Sequence, residues 1–241
     1  RDMPGEWDEL KVLEAEMYSH ATYARRSGTD WYIGSISAVD RNLRIPLDFL
    51  DENVKYVAEI YADPFGMDGT ISGGISDTTG SYKAKEEMEL GTFIVSNENT
   101  LKWNMAYGTG YAVRLRQASP EEIETIGSYD KYPLTKRIVW AETYQEKLYT
   151  PSTWQALEEA ISDAKALLET ESPTVEQLDR ADDRIVAAID GLRSIEALVN
   201  AIEMTDVLSA NHYTDESWSV LRTAVDNARP LLTDSEVTQE Q

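Results

Sequence analysis

Asp63 and Asp68 bracket Pro64-Phe65-Gly66-Met67, and with Asp77 they supply the hard oxygen donors that calcium prefers. Their spacing departs from that of an EF-hand loop, so a solvated acidic turn is the plainer reading. Trp31, Tyr32 and Trp103 offer flat apolar faces of the kind that stack on a pyranose ring, although alternating aromatics equally suit the core of a sheet. Glycoside hydrolysis would require two carboxylates facing each other about 5–9.5 Å apart. The 44 acidic residues make chance pairs plentiful. Trp7-Asp8-Glu9 has the composition of a sugar site, but adjacent side chains on an extended chain point to opposite sides. His20 and His212 are the only histidines, one in each half, so a two-histidine metal site or a Ser-His pair is not readily assembled. The absence of cysteine excludes a disulfide framework, a thiolate metal site and a cysteine nucleophile. Gly108-Thr109-Gly110 lacks the third glycine and following helix of a dinucleotide fingerprint and reads as a hairpin turn.

Such residues need a scaffold, and 241 residues suffice for one large or two modest domains. A hydrophobic fraction of 41% and a charged fraction of 27% are those of a folded chain. No apolar run approaches the roughly 20 residues of a spanning helix, so direct membrane insertion is not expected. The formal charge of -22 repels phosphate backbones, which argues against nucleic acid as a partner. The sequence opens on Arg1-Asp2-Met3 and closes on Glu240-Gln241, and it reads as a piece of something longer. Residues 1–118 carry 12 basic and 19 acidic side chains, against 10 and 25 in residues 119–241, and 14 of the 22 aromatics precede Ala118. The chain changes character near Ser119-Pro120.

The first part has the period of antiparallel sheet. Ala21–Arg26 and Trp31–Ser37 flank the turn chemistry of Ser27-Gly28-Thr29-Asp30 and predict a hairpin. Leu43, Ile45 and Leu47 alternate with Asn42, Arg44 and Pro46, giving one apolar and one solvated face. Strands over Val57–Tyr61, Tyr82–Met88, Thr92–Val95, Leu101–Met105 and Tyr111–Leu115 complete about eight, the spacing of a β-sandwich.

The second part is helical. Trp154, Leu157, Ala160, Ile161, Ala164, Leu167 and Leu168 lie on one helical stripe, begun by Thr150-Pro151. Thr174 and Gln177 have capping-box spacing. From Val175 the stripe continues through Ile185, Ile189, Leu192, Ile195 and Ile202, predicting one long helix interrupted only by Gly191, and a shorter helix is expected over about Leu134–Glu146. Tyr149-Thr150 and the Trp154 stripe return 64 residues later as Tyr213-Thr214 with Trp218, Leu221, Ala224, Val225, Ala228, Leu231 and Leu232. The offset carries Thr174 to Thr238, so a third helix of the second copy should begin where the sequence stops, leaving that copy's stripe partly uncovered.

Pro4-Gly5-Glu6-Trp7-Asp8-Glu9-Leu10, Ala24-Arg25-Arg26-Ser27-Gly28, Trp31-Tyr32-Ile33-Gly34, Leu47-Asp48-Phe49-Leu50, Ile60-Tyr61-Ala62-Asp63 and Gly108-Thr109-Gly110-Tyr111-Ala112-Val113-Arg114-Leu115 occur in an order that resembles the C-terminal domain of glycoside hydrolase family 97. Glu14-Ala15-Glu16-Met17 departs from it, standing where a glycine-containing link is expected. The resemblance implies a β-sandwich that follows a catalytic (β/α)8 barrel and packs on it, in enzymes acting on α-glucosides or α-galactosides with an active-site calcium ion. The family's catalytic carboxylates and calcium ligands lie in the absent N-terminal and barrel domains, so the resemblance transfers none to this chain. The helical part resembles FIVAR modules, three-helix repeats of secreted or surface-attached bacterial proteins.

The expected fold is therefore multidomain, all-β then all-α: an antiparallel β-sandwich over 1–118, a linker over 119–133, a three-helix module over 134–194 and an incomplete second module over 195–241. The expected function is that of a non-catalytic C-terminal fragment of an extracellular or surface-attached α-glycosidase, with no cofactor of its own and calcium confined to the parent enzyme. Its partner would be the missing barrel, met through an apolar patch on the sandwich. Two alternatives are a carbohydrate-binding module using Trp31, Tyr32 or Trp103, and a protein-interaction or adhesin stalk; these add glycans and cell-surface proteins as partners.

Overall fold

The computed structural model describes residues 3–63, 65 and 88–234. The chain divides into two compact units, Arg1–Lys136 and Arg137–Gln241.

The first unit is antiparallel throughout. Its strands are β1 (Glu9–Glu16), β2 (His20–Ser27), β3 (Asp30–Ser37), β4 (Arg41–Pro46), β5 (Tyr56–Ala62), β6 (Glu89–Val95), β7 (Thr100–Met105) and β8 (Gly110–Gln117). Six form one sheet in the order β1-β2-β3-β8-β5-β6, and β4 pairs with β7 in a second. Side chains alternate across each strand, so the inner faces meet in one apolar core that includes Ile33, Leu43, Ile45, Ile60, Leu101, Trp103, Val113 and Leu115. The expected hairpin is β2-β3, and its turn is closed by Gly28 at φ +61, a left-handed conformation that glycine adopts without a Cβ clash. Glu9–Glu16 forms a strand where no strand was expected. Its register shifts between Val12 and Glu14, and the Glu14 carboxylate accepts hydrogen bonds from Thr22 and Arg41. Glutamates at three of its alternate positions hide an edge strand from an apolar-period reading. The strand expected over Tyr82–Met88 lies outside the described residues except for Met88.

Residues 119–133, expected as a linker, contain the helix α1 (Pro120–Thr125) and a tyrosine of the sheet core. Tyr129 is buried, and its hydroxyl accepts from the Lys102 amide at 2.9 Å and donates to the Lys102 carbonyl at 3.2 Å. Ser119 and Glu122 form a complete capping box at the start of α1. The Glu122 carboxylate also takes two hydrogen bonds from Arg116, at 2.6 and 3.0 Å. Arg116 first, and the Ser119 amide second, lower its pKa from 4.5 to about 2. The folded state thus favours the charged form, so the stabilisation is present above pH 4.5 and is lost as the pH falls from there through about 2. Carbon-detected NMR should give a Glu122 midpoint near 2 that rises when Arg116 becomes Gln; an unchanged midpoint in that variant would show that the bidentate pair is not its cause.

The helix α2 (Tyr132–Ala141) spans the boundary between the units. The second unit continues with a 3₁₀ turn at Glu146–Leu148, α3 (Pro151–Glu169), α4 (Val175–Asp190), α5 (Glu196–Asp206), α6 (Asp215–Ala228) and a 3₁₀ turn at Arg229–Thr233. Thr150 is the N-cap of α3, and Thr174 with Gln177 completes a capping box on α4. The long helix expected through Gly191 is in fact two. Gly191 caps α4, and the next residues leave the helix to meet the chain ahead of α3: the Thr150 amide donates to the Arg193 carbonyl at 2.9 Å, and the Ile195 amide to the Leu148 carbonyl at 2.8 Å. Two main-chain hydrogen bonds to another segment replace helical ones, which apolar spacing cannot reveal. In the first copy of the repeat Leu157, Ala160 and Ala164 are buried; 64 residues on, Leu221 and Ala228 are half-buried and Ala224 is exposed. The second stripe is partly uncovered, as its sequence leads one to expect. The third helix expected from Thr238 lies outside the described residues.

Candidate functional site

An antiparallel sheet with one face in the core usually turns polar residues outward on the other. The six-stranded sheet breaks that rule in a defined band. The pairings align Val12, Tyr23, Gly34, Ala112, Tyr61 and Leu90 in one row across all six strands. None of the six is charged, and all face away from the core. Tyr61 is 46% exposed and Leu90 67%. A neighbouring row of Ala15, Ala21, Ile36 and Gly110 extends the apolar band toward the β1-β2 turn, with Ile36 67% exposed.

On the other side of that band the outward row is Leu10, Arg25, Tyr32, Arg114, Glu59 and Thr92. Arg114 and Glu59 of this row are ion-paired. Arg114 donates to Asp30 at 2.8 Å and lies 3.7 Å from Glu59; Arg116 bridges Glu59 and Glu122. The Asp30 carboxylate raises the Arg114 pKa above its ordinary value, and Glu122 does the same for Arg116. Both guanidinium groups therefore stay charged and paired. Trp7 meets Tyr32 edge-on at 5.4 Å between ring centres, with the Arg25 guanidinium 5.4 Å from the Trp7 ring centre.

Tyr23 and Tyr61 stand as ridges on β2 and β5. Between them β3 and β8 contribute Gly34 and Ala112, so the surface sinks into a trough of about 590 Å³ lined also by Met3, Trp7 and Ile36. A Cβ built on Gly34 meets no heavy atom within 4 Å, which means that the absent side chain leaves open surface rather than a tight backbone contact. The trough is almost wholly apolar. No facing carboxylate pair lines it.

The sequence-derived candidates are distributed otherwise. Trp103 is 1% exposed in the core, packed against Phe65, Tyr111 and Tyr132, and its Nε1 donates to the Asp63 carbonyl at 3.0 Å. Trp31 also points inward, against Phe49 at 4.8 Å. Tyr32, its neighbour on β3, points to the opposite face. The three rings therefore do not share a platform, and Tyr32 is the one that borders the trough. The Asp63 carboxylate accepts from the Gly110 amide at 2.6 Å, closing the end of β5 onto β8. Asp68 and Asp77 lie outside the described residues. Among the described residues no group of three or more His, Asp or Glu side chains gathers as metal ligands. The family resemblance implied an apolar patch without assigning its residues. The signal was present in Tyr23, Ile36, Tyr61 and Leu90, apolar residues on the half-period that an exposed face should give to polar ones.

Residues 6–116 match the family model described as glycosyl-hydrolase 97 C-terminal, oligomerisation. Residues 131–193 and 195–241 each match the FIVAR domain. The chain is 26% identical over 116 residues to a retaining alpha-galactosidase of Bacteroides thetaiotaomicron, covering 48% of this chain and 15% of that protein. It is 27% identical over 119 residues to the polysaccharide lyase 8 family protein HylA of Enterococcus faecalis, covering 46% and 9%. The chain thus spans only a small part of either relative's length. Among solved structures, a glycoside hydrolase family 97 enzyme in complex with acarbose, from a Pseudoalteromonas strain, aligns over 49% of this chain and 17% of its own at 24% identity and a TM-score of 0.38. The CBM51-2 and INT domains of Clostridium perfringens ZmpB align over 85% and 50% at 13% identity and a TM-score of 0.26.

Proposed function

From a chain that contains the C-terminal domain of glycosyl-hydrolase family 97 followed by FIVAR domains, we propose that it is the non-catalytic C-terminal part of a secreted or surface-attached bacterial α-glycosidase. The enzyme would act on α-glucosides or α-galactosides. Its sandwich associates with protein and supports the catalytic barrel, and its helical modules act as spacers outside the cell. The family match over residues 6–116 is the observation that carries this reading. The apolar outer face of the six-stranded sheet supports it, because a face of that character is costly to leave in water. In this reading the catalytic carboxylates and the calcium ion belong to the barrel. FIVAR domains occur in surface proteins, which supports an extracellular location, and no described helix is long and apolar enough to cross a membrane.

The test is direct. The purified 241-residue chain, incubated with α-glucosides and α-galactosides with and without calcium, should liberate no monosaccharide above the buffer control. Release that is proportional to protein concentration and survives repurification would overturn the reading.

A further inference from the structure

We infer that the α5–α6 pair of the second module is a docking surface for an amphipathic helix of α4's pattern that carries an apolar residue where α4 carries Asp182.

The two copies of the repeat supply the argument. In the first, α4 packs along α3 and buries Leu178, Asp182 and Ile185. Arg184 of α4 pairs with Asp163 of α3, and the Asp182 carboxylate pairs with Arg137 of α2. In the second, α5 and α6 stand for α2 and α3, and a repeated contact holds them alike: Glu142 pairs with Lys165, and 64 residues on Asp206 pairs with Arg229. Among the described residues no helix takes the place of α4 on this second pair. Burial differs accordingly. Ala160 and Arg137 are each 2% exposed, whereas their counterparts Ala224 and Ala201 are exposed.

The main chain differs in the same way. In the first copy Leu148 and Thr150 are held by Ile195 and Arg193, which follow α4. Their counterparts are His212 and Thr214, for which no described residue supplies the matching bonds. The second module thus presents an apolar stripe and, ahead of α6, a carbonyl and an amide in an extended stretch. A helix with α4's stripe that ends in an extended tripeptide answers both, by removing apolar area from water and by pairing the peptide groups.

Charge decides which helix fits. Arg137 and Asp182 form a buried pair in the first module, and Ala201 puts a methyl group where the guanidinium would be. A carboxylate brought to that place is buried without its counter-charge. The room that the arginine fills in the first module is left to an apolar side chain of the incoming helix. The same difference discriminates against α4 itself as the occupant of the second module.

Fluorescence anisotropy of a labelled synthetic peptide with the sequence Thr174–Ile195, titrated with the full 241-residue chain, tests this. The peptide carrying Asp182→Leu should bind with a Kd of about 100 μM or tighter, an affinity limited by the ordering of an unfolded peptide. The unsubstituted peptide should bind about tenfold more weakly or worse. Ala201→Arg in the chain should reverse the order of the two peptides by restoring the guanidinium. Ala224→Arg, at an exposed position within the stripe, should leave the chain folded and abolish binding of both. Hydrogen exchange on the mixture should show protection gained in α6 and none in α3. The inference is overturned if the Asp182→Leu peptide fails to bind, if the two peptides bind equally, or if their order is unchanged in Ala201→Arg. Binding that survives Ala224→Arg, or protection gained in α3 instead of α6, overturns it too. None of these outcomes bears on the accessory reading, which fails only if the chain itself hydrolyses glycosides.

Discussion

Asp182→Ala destabilises the helical unit by about 3–5 kcal/mol, the range for removing one member of a buried ion pair. Arg137 and Asp182 are each 2% exposed, and the Arg137 Nε donates to Asp182 Oδ1 at 2.9 Å. The guanidinium also lies 5.6 Å from the ring centre of Trp140. Desolvating both charges has already offset much of their attraction, so the intact pair adds little net stability. Removing the carboxylate instead leaves a guanidinium in the core without its counter-charge. The signature of this mechanism is asymmetry: Asp182→Ala should be much worse than Arg137→Met combined with Asp182→Leu, in which no charge remains buried. Chemical denaturation of the full chain, followed by hydrogen exchange in α3 and α4, would measure both. Equal losses in the single and double variants would rule out the uncompensated charge as the cause. Position 201, the counterpart of Arg137 in the second copy, is Ala, so this vulnerability belongs to the first module.

Trp103→Ala is expected to cost the sandwich about 3–5 kcal/mol through the cavity it opens. The ring is in contact with Phe65, Tyr111 and Tyr132, and the indole N–H satisfies the Asp63 carbonyl. Losing that donor leaves a carbonyl unpaired at the same point where the Asp63 carboxylate holds β5 to β8. Trp103→Phe retains most of the volume and should fall well short of the alanine variant. The measurement is amide protection in β7 and β8 by exchange mass spectrometry. Unchanged protection in the alanine variant would show that the ring is not a core element. A domain with a total stability of ~5–15 kcal/mol has little margin for such a loss.

The parts of the fold that follow from local spacing were legible in the sequence. Period-two alternation located Leu43 and Ile45 in the core, and cap chemistry at Thr150 and Thr174 marked helix starts that the structure retains. What escaped depends on contacts distant in sequence. β1 is an edge strand whose Glu9 and Glu14 reach Thr22, Arg26 and Arg41, residues that its own span does not contain. The break after Gly191 is set by the segment ahead of α3, about forty residues upstream. The trough was least legible of all. It exists because Gly34 and Ala112, on strands far apart in sequence, become neighbours in register between two tyrosines.

The break after Gly191 has a mechanical consequence. Tyr149 and Ser194 form an antiparallel bridge, flanked by the Thr150–Arg193 and Ile195–Leu148 hydrogen bonds. Leu148–Thr150 and Arg193–Ile195 are thereby clasped at the joint between one module and the next. A pull along the chain from α5 reaches this clasp before it can unwind α4, and its resistance comes from peptide groups rather than from particular side chains. The same clasp could therefore form between modules whose side chains differ at the joint.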